Sequence, residues 1–359
     1  MANVDLSVPQ TQKVAIFDKV GGPVIVKEAP VVQQKDLKPG QVLVKNIYSG
    51  VCHTDLHVML GDWPLPSKIP CIGGHEGAGY VVAVGDNTPE GLVKIGDPVG
   101  IKWLADSCLS CEQCNKGYES TCLDAKCSGF TVDGTYQQYV VSYARHVTPL
   151  PPNLALDLAA PIMCAGVTVW KAIKSAELTA GEFILISGAG GGLGHLAIQY
   201  AKAIGLRVIA LDTGAEKKAL CLEVGAEAFV DFKESKDLNE DIRAVTGGLG
   251  PHAAIVAASS AESYEQALDY LRNGGALVAV GLPRDATIRA NVFFTVLRSL
   301  RIIGSYVGNR ADAIQAADFA ARGLVKTTYT IKPLDQLPKV YEDLSKGAIT
   351  GRIVLDMWA

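Results

Sequence analysis

The residues with the plainest chemical capacity stand in Gly73-Gly74-His75-Glu76-Gly77-Ala78-Gly79. A neutral imidazole is a good zinc ligand, and neighbours without side chains let a cofactor and a substrate come close. Alone, such a histidine could equally be a partly buried residue of a glycine-rich turn. Cys52 upstream and Cys164 downstream change the reading. Two thiolates and one imidazole make a three-ligand catalytic zinc site, whose fourth position stays open for water or an alcohol.

Four more cysteines, Cys108, Cys111, Cys114 and Cys122, follow the spacing C-x2-C-x2-C-x7-C. Thiolates two residues apart can converge on one ion, and four of them close a tetrahedral structural zinc site with no open position. An iron-sulfur cluster and a disulfide pair are the alternatives. The density of thiols in a chain without a visible secretory signal favours zinc, with the role of stapling a loop. Cys221 lies in an apolar helical pattern and is expected in the core. Cys71 and Cys127 receive no role.

A third chemical stretch is Gly188-Ala189-Gly190-Gly191-Gly192-Leu193-Gly194, between the apolar run Ile184-Leu185-Ile186 and a helical pattern from Leu193 to Ile204. A strand, glycine turn and helix in this order place backbone N–H groups and a positive helix end at a pyrophosphate. The spacing departs from G-x-G-x-x-G, since the sixth position from Gly188 is Leu193. Asp212 ends the next apolar run, eighteen residues after Gly194. A carboxylate there accepts from the adenosine ribose hydroxyls and repels a 2′-phosphate, so NAD is expected over NADP. Lys217 is close enough in sequence to support the same ribose.

These stretches need elements to hold them. The 359 residues are 48% hydrophobic and 19% charged, enough for two globular domains. Before about residue 165, short apolar runs are bounded by Gly, Asp and Pro: 14–17, 24–26, 41–47, 79–85 and 93–99. This reads as an irregular, β-rich domain. From 165 onward, apolar runs at 183–186, 208–211, 228–231, 253–256, 276–280 and 302–304 alternate with helical periods, the pattern of a doubly wound parallel sheet. A helix over about 311–322 and a strand at 352–355 are expected to return to the first domain. The organisation is therefore α/β, with a catalytic zinc-binding domain over 1–165 and 306–359 and a dinucleotide-binding domain over 166–305.

The net charge is -4 and no run of Lys or Arg is present, which argues against a nucleic-acid or anionic-membrane partner. The N-terminus carries no signal pattern and the apolar stretches read as too short for a membrane span, so a cytoplasmic location is expected.

Taken together, the chain resembles the zinc-dependent, medium-chain alcohol dehydrogenases, and is most similar to the fungal ethanol-active type. The resemblance is carried by Gly50-Val51-Cys52-His53-Thr54-Asp55-Leu56-His57, Gly61-Asp62-Trp63-Pro64-Leu65-Pro66, Gly73 to Gly79, the four-cysteine lobe, Gly188 to Gly194, and Gly304 to Arg310. It covers nearly the whole chain in order. It implies a GroES-like catalytic domain beside a Rossmann domain, and two zinc ions per chain. The catalytic zinc would be held by Cys52, His75 and Cys164, with Asp55 and Glu76 behind them. Zinc acidifies an alcohol, whose hydride then passes to the nicotinamide. Thr54 is placed to take the proton and His57 to receive it. The resemblance further places His53 and Arg352 at the pyrophosphate and Val280 with Gly281 near the nicotinamide. Trp63 and Trp103 would line a narrow substrate pocket suited to ethanol and other short primary alcohols. It also implies a homotetramer.

A polyol or secondary-alcohol dehydrogenase on the same scaffold is the nearest rival, and would differ at Trp63 and Trp103. A zinc ribbon binding nucleic acid is opposed by Asp106, Glu112, Glu119 and Asp124 around the lobe. A regulator that has lost catalysis is opposed by the intact Cys52, Thr54, His57, His75 and Cys164.

Overall fold

The computed structural model describes residues 5–258 and 260–359, which divide into two compact units. Unit 1 runs to Cys164 and adds Gly308–Ala321 and Tyr329–Ala359; unit 2 is Ala165–Val307 with Arg322–Thr328.

Unit 2 is built on the apolar runs. Among the described residues its sheet has six strands, Phe183–Ser187, Arg207–Asp212, Ala228–Asp231, Ala253–Val256, Ala276–Ala279 and Arg301–Gly304. Numbered in chain order they lie 3-2-1-4-5-6, and every neighbouring pair is parallel. Strands buried on both faces need continuous apolar sequence rather than alternation. Ile184, Leu185, Ile186, Ala254, Ile255 and Leu277 are accordingly fully buried. The strand order reverses beside Phe183–Ser187, so the glycine turn that leaves this strand lies at the topological switch point, where open sheets of this type bind ligands.

Unit 1 is an antiparallel assembly around the long strand Gln41–Val51. That strand pairs with Gly77–Val84, with Tyr139–Tyr143 and with the late strand Arg352–Asp356. The last pairing sets Ile353 opposite Val51, one residue before Cys52. A second small sheet, Thr11–Phe17 with Ile25–Pro30 and Cys71–Ile72, packs its apolar face with Leu56, Tyr136, Leu337 and Tyr341.

Three expectations needed revision. Residues 93–97 are not strand: the Asp97 side chain accepts from Lys94 N–H at 2.7 Å, turning the chain, and the strand starts only at Pro98–Ile101. Segment 322–328 belongs to unit 2, not to unit 1. Gln199 both donates to Lys326 O (2.9 Å) and accepts from Lys326 N–H (2.8 Å), while Thr328 N–H donates to His195 Nε2 (3.1 Å). Finally, the helical stretch Leu156–Ser175 is long and apolar enough to cross a membrane by length and composition, but 78% of an 18-residue window within it is buried in the protein, as in a core helix.

Candidate active site and metal centres

The strand Gln41–Val51 delivers Cys52 to the start of helix His53–Leu60. Asp55, three residues on, closes a capping box, accepting from the Cys52 N–H at 3.2 Å. Its other oxygen holds His75 Nδ1 at 2.7 Å, and Tyr136 donates its hydroxyl to Asp55 at 2.8 Å. With Nδ1–H engaged by a carboxylate, His75 presents Nε2 to the site. That nitrogen lies 3.1 Å from Cys164 Sγ. Cys164 itself sits in the π-helical turn Ile162–Gly166 that follows Pro161, a local widening of the helix of the kind found at functional sites.

Cys52, His75, Glu76 and Cys164 are all buried, with ligand atoms within 4.8 Å of one another. Their charges are mutually dependent. Hydrogen bonding from Cys164 holds the Cys52 thiol well below its ordinary range, helped by His75 and Arg352, while Cys164 is pushed up by the same contact and by burial. Burial disfavours protonated His75, yet Asp55 outweighs it and raises the imidazole. Burial raises Glu76 to about 7 against the pull of Arg352. One Glu76 oxygen pairs with the Arg352 guanidinium, and Oε2 is buried with no hydrogen-bond partner. Two thiols, an imidazole and an unsatisfied carboxylate oxygen in a closed pocket are what a divalent cation of zinc's softness satisfies. The donor set fits.

Arg352 lies behind these ligands. The strand pairing beside Val51 buries it to 5% exposure, with its guanidinium paired to Glu76 and its Nε left without a partner.

The lobe fits a metal on independent grounds. Cys108, Cys111, Cys114 and Cys122 bring their sulfurs within 4.8 Å of one another; Cys108 is 3.9 Å from Cys114 and 3.5 Å from Cys122. Four thiolates at 2.3 Å from zinc stand roughly 3.8 Å apart, the edge of that tetrahedron. Backbone N–H groups of Ser110 and Cys111 lower the Cys108 thiol to about 6, ready to lose its proton. Glu119, within the lobe, accepts from the Arg310 guanidinium at 2.9 Å.

Around His75 the aromatic wall is continuous. Trp103 meets the imidazole edge-on at 5.2 Å and stacks on Phe130 at 5.6 Å and 20°. Trp63 sets its edge against both rings, at 6.1 and 6.2 Å. His57 follows, 6.0 Å from Trp63, beside a cleft of about 140 Å³. Thr54 and His57, three residues apart, share one helix face. His53 is exposed, its Nε2 3.3 Å from Leu344 O.

In unit 2, Gly188 adopts a φ of 76°, and the chain turns so that Gly190 N–H donates to Asp212 at 2.9 Å. Asp212 also accepts from Thr213 N–H (2.8 Å) and Lys217 (3.0 Å). The helix Gly194–Ala203 starts directly behind, with Leu193 as its cap. Gly191 lies in the turn, its N–H donating to Gly188 O at 3.2 Å, and Gly192 completes the link to Leu193. Val280 is buried, and Gly281 O accepts from Tyr264 at 2.6 Å. Phe130, Tyr136, Asp62 and the Glu76–Arg352 pair were not singled out by the sequence; only the Gly-Asp-Trp string, in the case of Asp62, held any signal for them.

A zinc-ligating unit of this kind, joined in one chain to a parallel sheet with a glycine turn at its switch point, defines a two-domain, zinc-binding dehydrogenase. Comparison makes this specific. Residues 38–152 match the alcohol dehydrogenase GroES-like domain family, and 192–322 match the zinc-binding dehydrogenase family. The chain is 51% identical over 353 residues to alcohol dehydrogenase 1 of Emericella nidulans, covering 98% of this chain and 99% of that one. It is 49% identical over 356 residues to the alcohol dehydrogenase of Schizosaccharomyces pombe, with coverage of 98% and 99%. Among solved structures, an alcohol dehydrogenase from the archaeon Aeropyrum pernix superposes with a TM-score of 0.85 at 30% identity, covering 96% of this chain and 99% of that one. Acetophenone reductase from Geotrichum candidum, in complex with NAD, gives 0.82 at 28% identity and 98% coverage of each. The chain belongs to the zinc-dependent alcohol dehydrogenase family.

Proposed function

We propose that this enzyme transfers hydride reversibly between a short primary alcohol, ethanol foremost, and NAD, yielding the aldehyde and NADH. The observation that carries the reading is the buried Cys52, His75, Cys164 donor set walled by Trp63, Trp103 and Phe130. Zinc bound by these three residues supplies a Lewis acid for the alcohol oxygen, and NAD supplies the hydride acceptor. A second zinc held by the lobe is structural.

The chain's own residues do the rest. Asp55 and Tyr136 fix His75 so that Nε2 points inward; the Glu76–Arg352 pair keeps a compensated charge behind the ligands. Thr54 takes the alcohol proton on its hydroxyl, and His57 Nε2 receives it on the same helix face. The indoles exclude water and bulky substituents. In unit 2, the glycine turn offers backbone N–H groups to the pyrophosphate; His53 is assigned a pyrophosphate contact by the resemblance. Asp212 and Lys217 hold the ribose; Gly281, next to Val280, lies beside the nicotinamide, in a position where a Cβ would stand 2.5 Å from Ala258 O and 3.0 Å from the Tyr264 hydroxyl.

Purified enzyme with its metal content measured should hold two zinc per chain and form NADH fastest from ethanol, ahead of propan-2-ol and a polyol. Substituting Trp63→Ala or Trp103→Ala should narrow that preference by roughly tenfold or more, since each methylene accommodated is worth about 1–3 kcal/mol. A polyol or secondary alcohol preferred by the unaltered enzyme would sink the pocket assignment.

We further propose a cytoplasmic homotetramer. The exposed Val292, Phe293, Val296 and Leu297 adjoin the edge strand Arg301–Gly304, an apolar patch that association would cover. Light scattering at four times the chain mass supports this; a monomer contradicts it.

A further inference from the structure

The turn that ends helix His53–Leu60 folds back on the helix's own histidine. Gly61, in the left-handed region at φ 73°, donates its N–H to His57 O at 2.9 Å, and Asp62 N–H donates to the same carbonyl at 3.1 Å. The backbone thereby carries the Asp62 side chain to the ring, where Oδ2 lies 2.8 Å from His57 Nδ1. A carboxylate only accepts, so Nδ1 carries the hydrogen and Nε2 is left with its lone pair. The pair is partly shielded, with side-chain exposures of 28% for His57 and 17% for Asp62. The other titratable groups on the helix are His53, at a ring distance of 6.3 Å, and Asp55, which is engaged by His75 and Tyr136; Trp63, Val20, Leu65 and Phe130, which line the adjoining cleft, carry no charge.

We propose that Asp62 is the positioning residue for His57, holding the imidazole in the Nδ1–H tautomer so that Nε2 takes up the proton released in alcohol oxidation. This rests on His57 being the proton acceptor. The Nε2 lone pair forms the new N–H bond, the resulting imidazolium is offset by the Asp62 carboxylate, and loss of that proton to solvent restores the neutral ring. The logic is that of a carboxylate orienting a catalytic histidine, where replacing acid by amide favours the wrong tautomer.

The test uses full-length, zinc-loaded enzyme and the variants H57Q, D62N, D62E and H57Q/D62N. Nitrogen-15 histidine spectra without NAD or alcohol, with the His57 signals identified by their loss in H57Q, should show the Nδ1–H form in the unaltered enzyme. In D62N, whose amide can donate to Nδ1, they should shift towards the Nε2–H form. The kcat of D62N should fall towards that of H57Q while KM for alcohol and NAD changes less than about threefold, the sign of a group acting beyond ground-state binding. D62E should recover much of the loss, and the double variant should be no slower than H57Q. If D62N does not fold, D62S carries the same comparison. Unchanged tautomer and kcat in D62N, beside a slowed H57Q, overturn the role of Asp62 alone. An unslowed H57Q overturns the proton-acceptor reading beneath it.

Discussion

At the scale of single residues, the active site is set by close approach as much as by ligand identity. Gly50 shows why. It is the residue two before Cys52, and a Cβ built on it would stand 1.9 Å from Glu76 Oε2, the buried oxygen without a partner. Any side chain at 50 must displace a carboxylate that is tied at its other oxygen to Arg352. Gly50→Ala should therefore destabilise the fold by about 1–3 kcal/mol through overpacking and reduce zinc occupancy at the Cys52 site, leaving the lobe filled. Metal analysis reads this as a fall from two zinc towards one per chain with a lowered Tm. Full occupancy and unchanged activity would mean that Glu76 moves freely, contrary to its packing.

At the scale of elements, the glycine turn and Asp212 act as one device, because the carboxylate caps Gly190 N–H from the next strand and is itself held by Lys217. Removing the charge has two opposed effects: it relaxes rejection of a 2′-phosphate and loosens the turn. Asp212→Gly should thus raise KM for NAD at least about tenfold, a cost of about 1.4 kcal/mol, and narrow the preference for NAD over NADP. Initial rates with both cofactors measure it, and an unaltered preference would exclude Asp212 from cofactor choice. The arrangement of strand, turn and helix was legible in the sequence because these elements and the acid follow one another within thirty residues. The same is true of the lobe, whose thiols are neighbours along the chain. What sequence alone did not reveal depends on distant partners. Tyr136 reaches Asp55 across 81 residues and Arg352 reaches Glu76 across 276; neither pairing leaves a periodic or compositional trace. Segment 322–328 was assigned to the wrong unit for the same reason, since Gln199 and His195 claim its backbone from more than a hundred residues away. Residues 93–97 failed differently: an apolar run looked like strand, but a local aspartate turn won.

At the scale of the whole molecule, stability against acid should be governed by groups buried in the neutral state. His146 is the clearest. It is 1% exposed, its Nε2 lies 3.1 Å from Ser107 Oγ and its Nδ1 has no partner, next to the buried Lys102, whose ammonium donates to His146 O. Burial, with Lys102 and Arg310 adding to it, pushes the imidazole down to about 3. The sign follows from proton binding. Below the ordinary histidine value near 6.5, the unfolded chain takes up a proton that the folded chain refuses until about pH 3, so stability is complete above that range and is lost as pH falls through it. The slope approaches about 1.4 kcal/mol per pH unit, and a drop from pH 7.5 to 5 should remove roughly 2 kcal/mol through this one group. His146→Gln keeps a polar side chain without the titration. It should be less stable than the unaltered protein at pH 7.5 yet lose less Tm on going to pH 5, by several degrees. Because both proteins keep the same cysteines, acid release of zinc from the lobe contributes equally to the two and cancels in the comparison. Equal losses of Tm in the two would mean that His146 gains its proton within the folded state well above pH 3, and that the Lys102–His146 region opens to water before the fold is lost.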